Sequence, residues 1–359
     1  IFGAESSDFS GFSVSSAGDV NGDGISDVLV STRSYSLMGR PECGRVHVIF
    51  GHTSNYPFDT VELAQFNRYS EAHYGFVITG GSSNDQLGAS VSSGGDINGD
   101  GCDDILLGAA GYDTATATSA GAVYVIYGHD SSTVFLSIDL AVFVSGPSTG
   151  YKIIGSMNSA LIGTTVSALD LNGDRAPDLL LSAPALSPLQ RTEAGQVYVL
   201  LGATLPLPRM PNVDLNHTLP SNRGITYTGA NAGNSLGYAV RGAGDLNSDQ
   251  IRDFLVTEPL ATAILGAETR PFAGIVYVIF GKSGPNLQGM DLLNFNSLEV
   301  DGFRIFGIEN AQCGHSVDSA GDFNDDGHSD IVVGCPVYSA MAKNKCGAVF
   351  VVFGHDNTT

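Results

Sequence analysis

Asp96-Ile97-Asn98-Gly99-Asp100-Gly101-Cys102-Asp103-Asp104 is the stretch that decides the fold of this chain of 359 residues. The pattern Asp-x-Asn-x-Asp-x-x-x-Asp also occurs at residues 19–27, 170–178, 245–253 and 322–330. In chain order, the first Asp of each run lies 77, 74, 75 and 77 residues after the one before it. A spacing this regular indicates one structural unit repeated five times.

Short apolar segments flank each acidic run. In the second repeat, residues 88–91 precede the run and residues 105–107 follow it, and both segments are too short for a helix. A β-branched and aromatic segment comes next at residues 123–128, and a weaker fourth segment ends at Gly155. Each repeat therefore predicts four short strands, called A to D.

Four antiparallel strands per unit, repeated at a fixed spacing and rich in Gly, are typical of β-propeller blades. The sequence thus predicts an all-β fold, a β-propeller with four antiparallel strands per blade and five repeats. A solenoid of stacked β-coils is the competing architecture, but its repeats are much shorter than these.

One domain is predicted over residues 1–359. Its repeats cover about 4–80, 81–155, 156–229, 230–307 and 308–359, and residues 1–3 form a further N-terminal strand. Because Ile1-Phe2-Gly3 resembles the end of strand D, it either completes the last blade in a ring of five or shows that the chain is a fragment of a longer array.

Composition excludes several classes of function. The net charge of −21, from 16 Lys and Arg against 37 Asp and Glu, disfavours nucleic acid and anionic membranes as partners. No apolar run approaches the 18 residues or so that cross a bilayer, so this segment is not expected to insert into a membrane. These features favour an extracellular or cell-surface binding module.

The acidic runs have the spacing of a calcium loop. Calcium prefers six to eight oxygen ligands, and a tight loop with side-chain oxygens at positions 1, 3, 5 and 9 and a carbonyl at position 7 supplies them. The prediction is up to five calcium ions, held by the following residues: Asp19, Asn21, Asp23, Ile25 and Asp27; Asp96, Asn98, Asp100, Cys102 and Asp104; Asp170, Asn172, Asp174, Ala176 and Asp178; Asp245, Asn247, Asp249, Ile251 and Asp253; Asp322, Asn324, Asp326, His328 and Asp330.

Two loops depart from this pattern at the turn. Position 6 is Gly in three loops, but Arg175 and Gln250 occupy it in the third and fourth. A left-handed conformation is costly for residues other than Gly, so weaker or distorted sites are expected there.

The repeats resemble the FG-GAP repeat of integrin α-subunit propellers. That repeat combines a Phe/Leu-Gly strand, an Asp-x-Asn-Gly-Asp-Gly-x-x-Asp loop and a Gly-Ala-Pro segment. The counterparts in this chain are Leu87-Gly88, Ile162-Gly163 and Leu236-Gly237, followed by Gly108-Ala109-Ala110, Ser182-Ala183-Pro184, Thr257-Glu258-Pro259 and Gly334-Cys335-Pro336. Integrin propellers have seven blades and a shorter repeat, so their ligand site is not transferred.

The resemblance implies a calcium-bound propeller outside the cell, used for adhesion or for assembly with other protein chains. A non-enzymatic role is expected, because Gly-x-Ser-x-Gly and a zinc-type cluster of His, Asp and Glu are absent from the sequence. One alternative is a lectin that binds glycans, which the lack of Trp disfavours. Another is the accessory propeller of a larger surface enzyme, because phospholipases specific for glycosyl-phosphatidylinositol anchors carry similar repeats.

The long B–C loops differ from repeat to repeat, which suits a recognition surface on a rigid scaffold. Their aromatic and Arg side chains are of the types enriched at binding hot spots. The candidates for partner binding are Tyr35, Arg40, Tyr112, Arg191, Arg270, Phe272 and Tyr338, with packing between blades as the competing role.

Five cysteines and two sequons complete the set of candidate sites. Cys335 and Cys346 flank the fifth B–C loop and are predicted to form a disulfide, whereas Cys43, Cys102 and Cys313 stay unassigned. Asn216 and Asn357 begin Asn-x-Thr sequons, which predict a glycoprotein if the chain is secreted from a eukaryotic cell.

Overall fold

The computed structural model describes residues 1–4, 6–53, 61–66, 74–202, 212–215, 223–295, 301–340 and 342–354. These residues form an all-β, five-blade β-propeller arrangement whose blades are small antiparallel sheets, as the sequence predicts. By its contacts the chain divides into two compact units, one of residues 1–168 and 203–219 and the other of residues 169–202 and 220–359. Whether residues 1–359 fold as one domain stays a prediction.

The first unit contains two blades. Its strands in chain order are β1 (Ser10–Gly18), β2 (Asp27–Thr32), β3 (Arg45–Ile49), β4 (Gly75–Thr79), β5 (Leu87–Gly95), β6 (Asp104–Ala109), β7 (Ala122–Ile126), β8 (Ile138–Asp139) and β9 (Gly150–Ile154). Blade 1 consists of β1 to β4, and blade 2 of β5, β6, β7 and β9. Short 3-10 turns lie at Leu63–Gln65 and Leu140–Val142.

The division between the units falls within β10 (Val166–Leu169). The next strands are β11 (Asp178–Ala183), β12 (Gln196–Leu200), β13 (Val213–Asp214) and β14 (Gly224–Thr228). Blade 3 consists of β10, β11, β12 and β14, whereas β13 belongs to the first unit, where it joins the edge of β9. A 3-10 turn lies at Pro188–Gln190.

The rest of the second unit forms two blades. Its strands are β15 (Val240–Gly244), β16 (Asp253–Glu258), β17 (Ala263–Leu265), β18 (Glu268–Arg270), β19 (Ile275–Ile279), β20 (Met290–Asp291), β21 (Gly302–Phe306), β22 (Ser316–Gly321), β23 (Asp330–Cys335) and β24 (Ala348–Val352). Blade 4 is β15, β16, β19 and β21, with β17 and β18 as a hairpin in its B–C loop, and the described part of blade 5 is β22 to β24. Two 3-10 turns lie at Gly284–Asn286 and Leu292–Asn294.

The central strands of blade 2 are apolar on both faces. Every residue of β6 and β7 is buried, which explains why these segments appear in the sequence as unbroken apolar runs. In the first unit, Val46 and Val48 of blade 1 share one core cluster with Val91, Ile105 and Leu107 of blade 2. Burying one such side chain stabilises the fold by about 1.5 to 3 kcal/mol.

Near the N-terminus the structure has one isolated bridge, and whether residues 1–3 act as a strand D stays a prediction. Phe2 forms a parallel bridge with Glu62, with hydrogen bonds from Phe2 N–H to the Val61 carbonyl at 2.8 Å and from Leu63 N–H to the Phe2 carbonyl at 3.0 Å. The edges of β4, β9 and β14 each carry a short parallel strand in the same way.

The predicted cysteine pairing is wrong. The structure joins Cys313 to Cys335, and Cys346 is a free, exposed thiol that donates to the Tyr338 carbonyl at 3.5 Å. Cys313 directly precedes the Gly of strand A, where the corresponding residues of blades 1 and 2 face Thr32 and Ala109 of strand B. The position of Cys335 therefore faces the residue just before the Gly of strand A, which is Cys313. It does not face Cys346, which lies before strand C.

Candidate functional site

Each A–B loop is closed by hydrogen bonds from its own backbone to its acidic side chains. In the second loop, the Asp96 carboxylate accepts the N–H groups of residues 99–101 at 2.7, 3.0 and 2.9 Å. The Asn98 Oδ1 accepts the N–H of Asp100, and the Asp100 Oδ1 accepts the N–H of Cys102, both at 2.9 Å. The oxygens at positions 1, 3 and 5 therefore lie on the inside of one short loop.

The same network occurs in all five loops. The Asp at position 1 accepts the N–H groups of positions 5 and 6 in each loop. The Asn at position 3 accepts from position 5, and the Asp at position 5 accepts from position 7. The repeated sequence thus produces five copies of one loop conformation, as the regular spacing predicts.

The Asp at position 9 also has a role that sequence reasoning missed. Asp104 is fully buried, its Oδ2 accepts the Ile97 N–H at 2.8 Å, and its Oδ1 accepts the Gly128 N–H at 3.0 Å. The corresponding Asp of every other loop makes the same two bonds, one within its loop and one to the Gly that ends strand C. This side chain therefore ties the loop to the end of strand C in each blade.

The position 9 carboxyls are electrostatically unusual. Burial raises the pKa of Asp104 to about 8 and that of Asp178 and of Asp253 to about 7. Burial raises the pKa of Asp27 to about 6. In these four loops the carboxylates at positions 1 and 5 raise the pKa of the position 9 Asp further, while two backbone N–H groups lower it. A cation in the loop would offset both the burial and the repulsion.

The donor chemistry of these loops fits calcium. Every side chain at positions 1, 3, 5 and 9 supplies oxygen, and a carboxylate oxygen that accepts one N–H keeps a lone pair for a hard cation. Within the described residues, no three His, Cys, Asp or Glu side chains are gathered closely enough to hold a metal by themselves. A bound ion would therefore need the Asn oxygen and the position 7 carbonyl as well.

The two loops without Gly at position 6 adopt the strained conformation expected from the sequence. Arg175 and Gln250 both have φ of 70°, where Gly24, Gly101 and Gly327 have φ of 85° to 90°. Their backbone N–H groups still bind the Asp at position 1. The loop conformation thus overrides the steric preference of the side chain.

Replacing Gln250 with Gly is expected to stabilise the chain. The left-handed conformation costs about 1 to 2 kcal/mol for a residue with a Cβ, and the greater flexibility of Gly offsets about 0.5 to 1 kcal/mol of the gain. The expected net gain is therefore about 0.5 to 1 kcal/mol in the free energy of unfolding. Urea denaturation measures it, and the matched change Gly101→Gln should destabilise by a similar amount.

The tyrosines proposed for partner binding serve as packing groups in the structure. Tyr35 is buried beneath the Arg45 guanidinium, which lies 3.6 Å from the ring centroid and donates to the hydroxyl at 2.6 Å. The Tyr112 hydroxyl accepts from Lys152 Nζ at 2.8 Å, and Tyr338 packs against the core of the second unit. These contacts give the tyrosines a packing role, but those of Tyr35 with Arg45 and of Tyr112 with Lys152 lie within one blade, so they differ from the packing between blades given above as the competing role.

Two of the proposed arginines form ion pairs with the short strand at the edge of their own blade. Both guanidinium η nitrogens of Arg40 donate to Asp139, at 2.6 and 2.7 Å. Arg191 binds Asp291 with both η nitrogens in the same way. The partner of each arginine therefore comes from the connection between strands C and D of the following repeat.

The remaining candidates differ in exposure. Arg270 pairs through Nε with Glu268 at 2.7 Å, and Phe272 has 53% of its surface exposed. The sequon residues Asn216 and Asn357 lie outside the described residues. Among the seven candidates, Phe272 is thus the large apolar side chain that is exposed.

One buried carboxyl lies outside the acidic loops. Glu258 is fully buried in blade 4, and its Oε2 accepts from Asn234 Nδ2 at 2.9 Å and from the Tyr277 hydroxyl at 3.5 Å. Burial raises its pKa to about 7. Glu258 stands where the FG-GAP pattern has Ala, so the departure was visible in the sequence, although its burial was not.

Comparison with known proteins identifies three of the five repeats. The FG-GAP repeat family matches residues 10–49, 87–126 and 162–200. Human phosphatidylinositol-glycan-specific phospholipase D is 30% identical over 210 residues, which cover 58% of this chain and 22% of that protein. The rat protein of the same name is 32% identical over 171 residues, 48% of this chain and 18% of that protein. Mouse integrin alpha-E is 29% identical over 198 residues, 54% of this chain and 15% of the integrin.

These relatives correct one prediction. The chain was expected to be non-enzymatic, but the first two relatives carry the name of an enzyme. The chain spans about a fifth of the length of those two phospholipases. These relatives agree better with the alternative prediction, the accessory propeller of a larger surface enzyme.

Two observations bear on the compartment. Disulfides such as Cys313–Cys335 are typical of proteins in oxidising environments. Of the residues that the structure describes, none lies in a helix with the length and hydrophobicity needed to cross a membrane.

Proposed function

We propose that this chain, which carries FG-GAP repeats, is the calcium-binding propeller portion of a phospholipase D that acts on phosphatidylinositol-glycan anchors outside the cell. The observation that carries the proposal is the similarity to phosphatidylinositol-glycan-specific phospholipase D, which extends over 210 residues of this chain for the human protein. A match of that length covers more than two repeats, so the similarity extends well beyond a single blade.

The propeller contributes a rigid scaffold to such an enzyme. Strands buried on both faces and five Asp side chains that tie loop to strand hold each blade in a fixed shape. Calcium, when bound at positions 1, 3, 5, 7 and 9, supplies positive charge that neutralises the loop carboxylates. The A–B and B–C loops then present constant surfaces to the rest of the enzyme or to the anchor.

An extracellular setting supports calcium occupancy. Extracellular calcium modules bind the ion with dissociation constants of about 10⁻⁴ to 10⁻³ M. The disulfide between Cys313 and Cys335 suits the same environment.

Adhesion is the second candidate function. It is favoured by the similarity to mouse integrin alpha-E over 54% of this chain. In that case the B–C loops would bind another protein, and Phe272 offers an exposed aromatic side chain there.

The test is cleavage of a phosphatidylinositol-glycan anchor by the purified protein that carries this chain. A phospholipase D leaves phosphatidic acid in the membrane, so its appearance in vesicles with an anchored protein is the expected result. The activity should fall when Asp19, Asp96, Asp170, Asp245 and Asp322 are all replaced by Ala. Absence of phosphatidic acid, combined with calcium-dependent adhesion of the same preparation to cells, would favour the adhesion function instead.

A further inference from the structure

Hydrogen bonds join the acidic loops of blades 1 and 2. The Asp103 N–H donates to the Asp19 carbonyl at 2.9 Å, and the Asp19 N–H donates to Asp103 Oδ2 at 2.8 Å. Asp19 is position 1 of the first loop, and Asp103 is position 8 of the second. A reciprocal pair of bonds therefore connects the backbone of one expected calcium ligand to the residue beside another, Asp104.

This contact requires glycine at residue 18. A Cβ on Gly18 would lie 2.1 Å from Asp103 Oδ2, closer than two atoms that are not bonded can come. The second loop alone has Asp at position 8. The corresponding residues of the other loops are Ser26, Pro177, Arg252 and Ser329. Of the five repeats, only the second can therefore place a carboxylate from position 8 against the loop before it.

A second connection joins the same two loops through the end of strand C. The His129 N–H donates to the carbonyl of Val20, position 2 of the first loop, at 3.0 Å. The preceding Gly128 binds Oδ1 of Asp104, the position 9 carboxylate of the second loop. With Asp103 on the other side of Asp104, these bonds form a closed circuit. A movement of the ligands in one loop therefore displaces hydrogen-bond partners of the other loop.

The third and fourth loops share the strand C connection but not the carboxylate. The Lys282 N–H donates to the Leu171 carbonyl at 3.0 Å, and the preceding Gly281 binds Oδ1 of Asp253 at 3.0 Å. Position 8 of the fourth loop is Arg252, whose side chain has no acceptor. The side-chain bond of Asp103 is thus an addition to a connection that is made by the backbone.

We propose that Asp103 is a positioning residue shared by the first two calcium loops, so that an ion bound in one loop raises the affinity of the other. An ion in the first loop fixes Asp19, whose backbone then holds Asp103 and, beside it, the ligand Asp104. The first ion thus orders part of the second site in advance, which produces positive cooperativity. The inference rests on the calcium binding proposed above.

Repulsion between the two ions acts in the opposite direction. The turns of both loops are exposed to solvent at Gly24 and Gly101, and salt screens the interaction of exposed charges over about 8 Å at physiological ionic strength. The hydrogen bonds between the loops are not weakened by salt in this way. We therefore expect the ordering effect to exceed the repulsion at physiological salt.

Calcium binding by chains with one or two working loops tests the proposal. Replacing Asp170, Asp245 and Asp322 with Ala leaves the first two loops, and adding Asp23→Ala or Asp100→Ala leaves only the second or only the first. Calorimetry at physiological salt gives the affinity of each loop alone and of both together. We expect the product of the two affinities in the two-loop chain to exceed the product of the separate affinities at least about fivefold.

Variants of Asp103 separate the hydrogen bond from the charge. Asp103→Ala removes the acceptor of the Asp19 N–H and should abolish the excess, while both ions still bind. Asp103→Asn removes the same charge but keeps a side-chain oxygen, so it should retain the excess. Ser26→Ala changes position 8 of the first loop, where the residue is exposed, and should leave the excess unchanged.

Failure of calcium binding and failure of the coupling give different results. An unaltered chain that takes up no calcium would overturn the proposed calcium binding and this inference with it. Calcium uptake with equal products, an excess that survives Asp103→Ala, or an excess that is lost equally in Asp103→Asn would overturn only the role of Asp103. The comparison of one-loop and two-loop chains needs no change at Asp103, so it decides the coupling even if Asp103→Ala does not fold.

Discussion

Replacing Asp104 with Ala should destabilise the chain by about 2 to 6 kcal/mol, even without calcium. The change leaves the N–H groups of Ile97 and Gly128 without their acceptor in a buried environment, and each unsatisfied group costs about 1 to 3 kcal/mol. Urea denaturation in the presence of a chelator measures the effect free of any contribution from the ion.

The matched control is Asp96→Ala in the same loop. Asp96 lies at the surface end of the loop and accepts bonds from N–H groups that water can reach. Its loss should therefore lower stability mainly when calcium is present. If the two variants were equally stable in chelator, the structural role assigned to the position 9 Asp would be wrong.

The second large effect is expected from the disulfide. The two cysteines are 22 residues apart, and closing a loop of that length stabilises a fold by about 3 kcal/mol through the entropy of the unfolded chain. The double variant Cys313→Ser, Cys335→Ser should lose this amount in urea denaturation of the oxidised protein.

Cys346→Ser is the control for that variant. Cys346 is exposed, so its change should alter the free energy of unfolding by less than about 0.5 kcal/mol. A large loss in Cys346→Ser, with none in the single variant Cys313→Ser, would restore the pairing predicted from the sequence.

The fold was predictable because its information is local and repeated. The loop 96–104 contains a turn signal, and a short apolar strand segment lies on each side of it. This arrangement occurs five times at a nearly constant spacing. Strand boundaries around the loops follow from the same pattern. Even the strain at Arg175 and Gln250 could be predicted, because the Gly at the equivalent position of other loops shows what conformation the turn requires.

The rest depends on contacts that span the sequence. The short parallel segments at the edges of β4, β9 and β14 are strands of two residues, such as Ile138–Asp139, which are too short to give a periodic signal. Their partners lie 60 to 63 residues away along the chain, as Ile138 lies 60 residues from Ile78. Only the triplet apolar–Asp/Glu–Leu, repeated four times, could have revealed them.

The disulfide pairing and the enzymatic relatives were not predicted correctly, each for its own reason. To predict the Cys313 pairing, the register of strand A against strand B had to be known at the residue just before the Gly that marks strand A. The sequence favoured a non-enzymatic role and offered the accessory propeller of a larger surface enzyme only as an alternative, because a fold hosts many functions and the chemistry of an enzyme lies in its site. A propeller alone carries little of that information.

Calcium titration by calorimetry tests the central claim most directly. We expect about five ions, bound with dissociation constants of about 10⁻⁴ to 10⁻³ M, and a free energy of unfolding that rises by about 1.4 kcal/mol for each site filled at ten times its constant. The variant Asp96→Ala should bind one ion fewer. A chain that takes up no calcium at about 10 mM, about ten times the weakest expected constant, and melts at the same temperature with and without the ion would contradict the account.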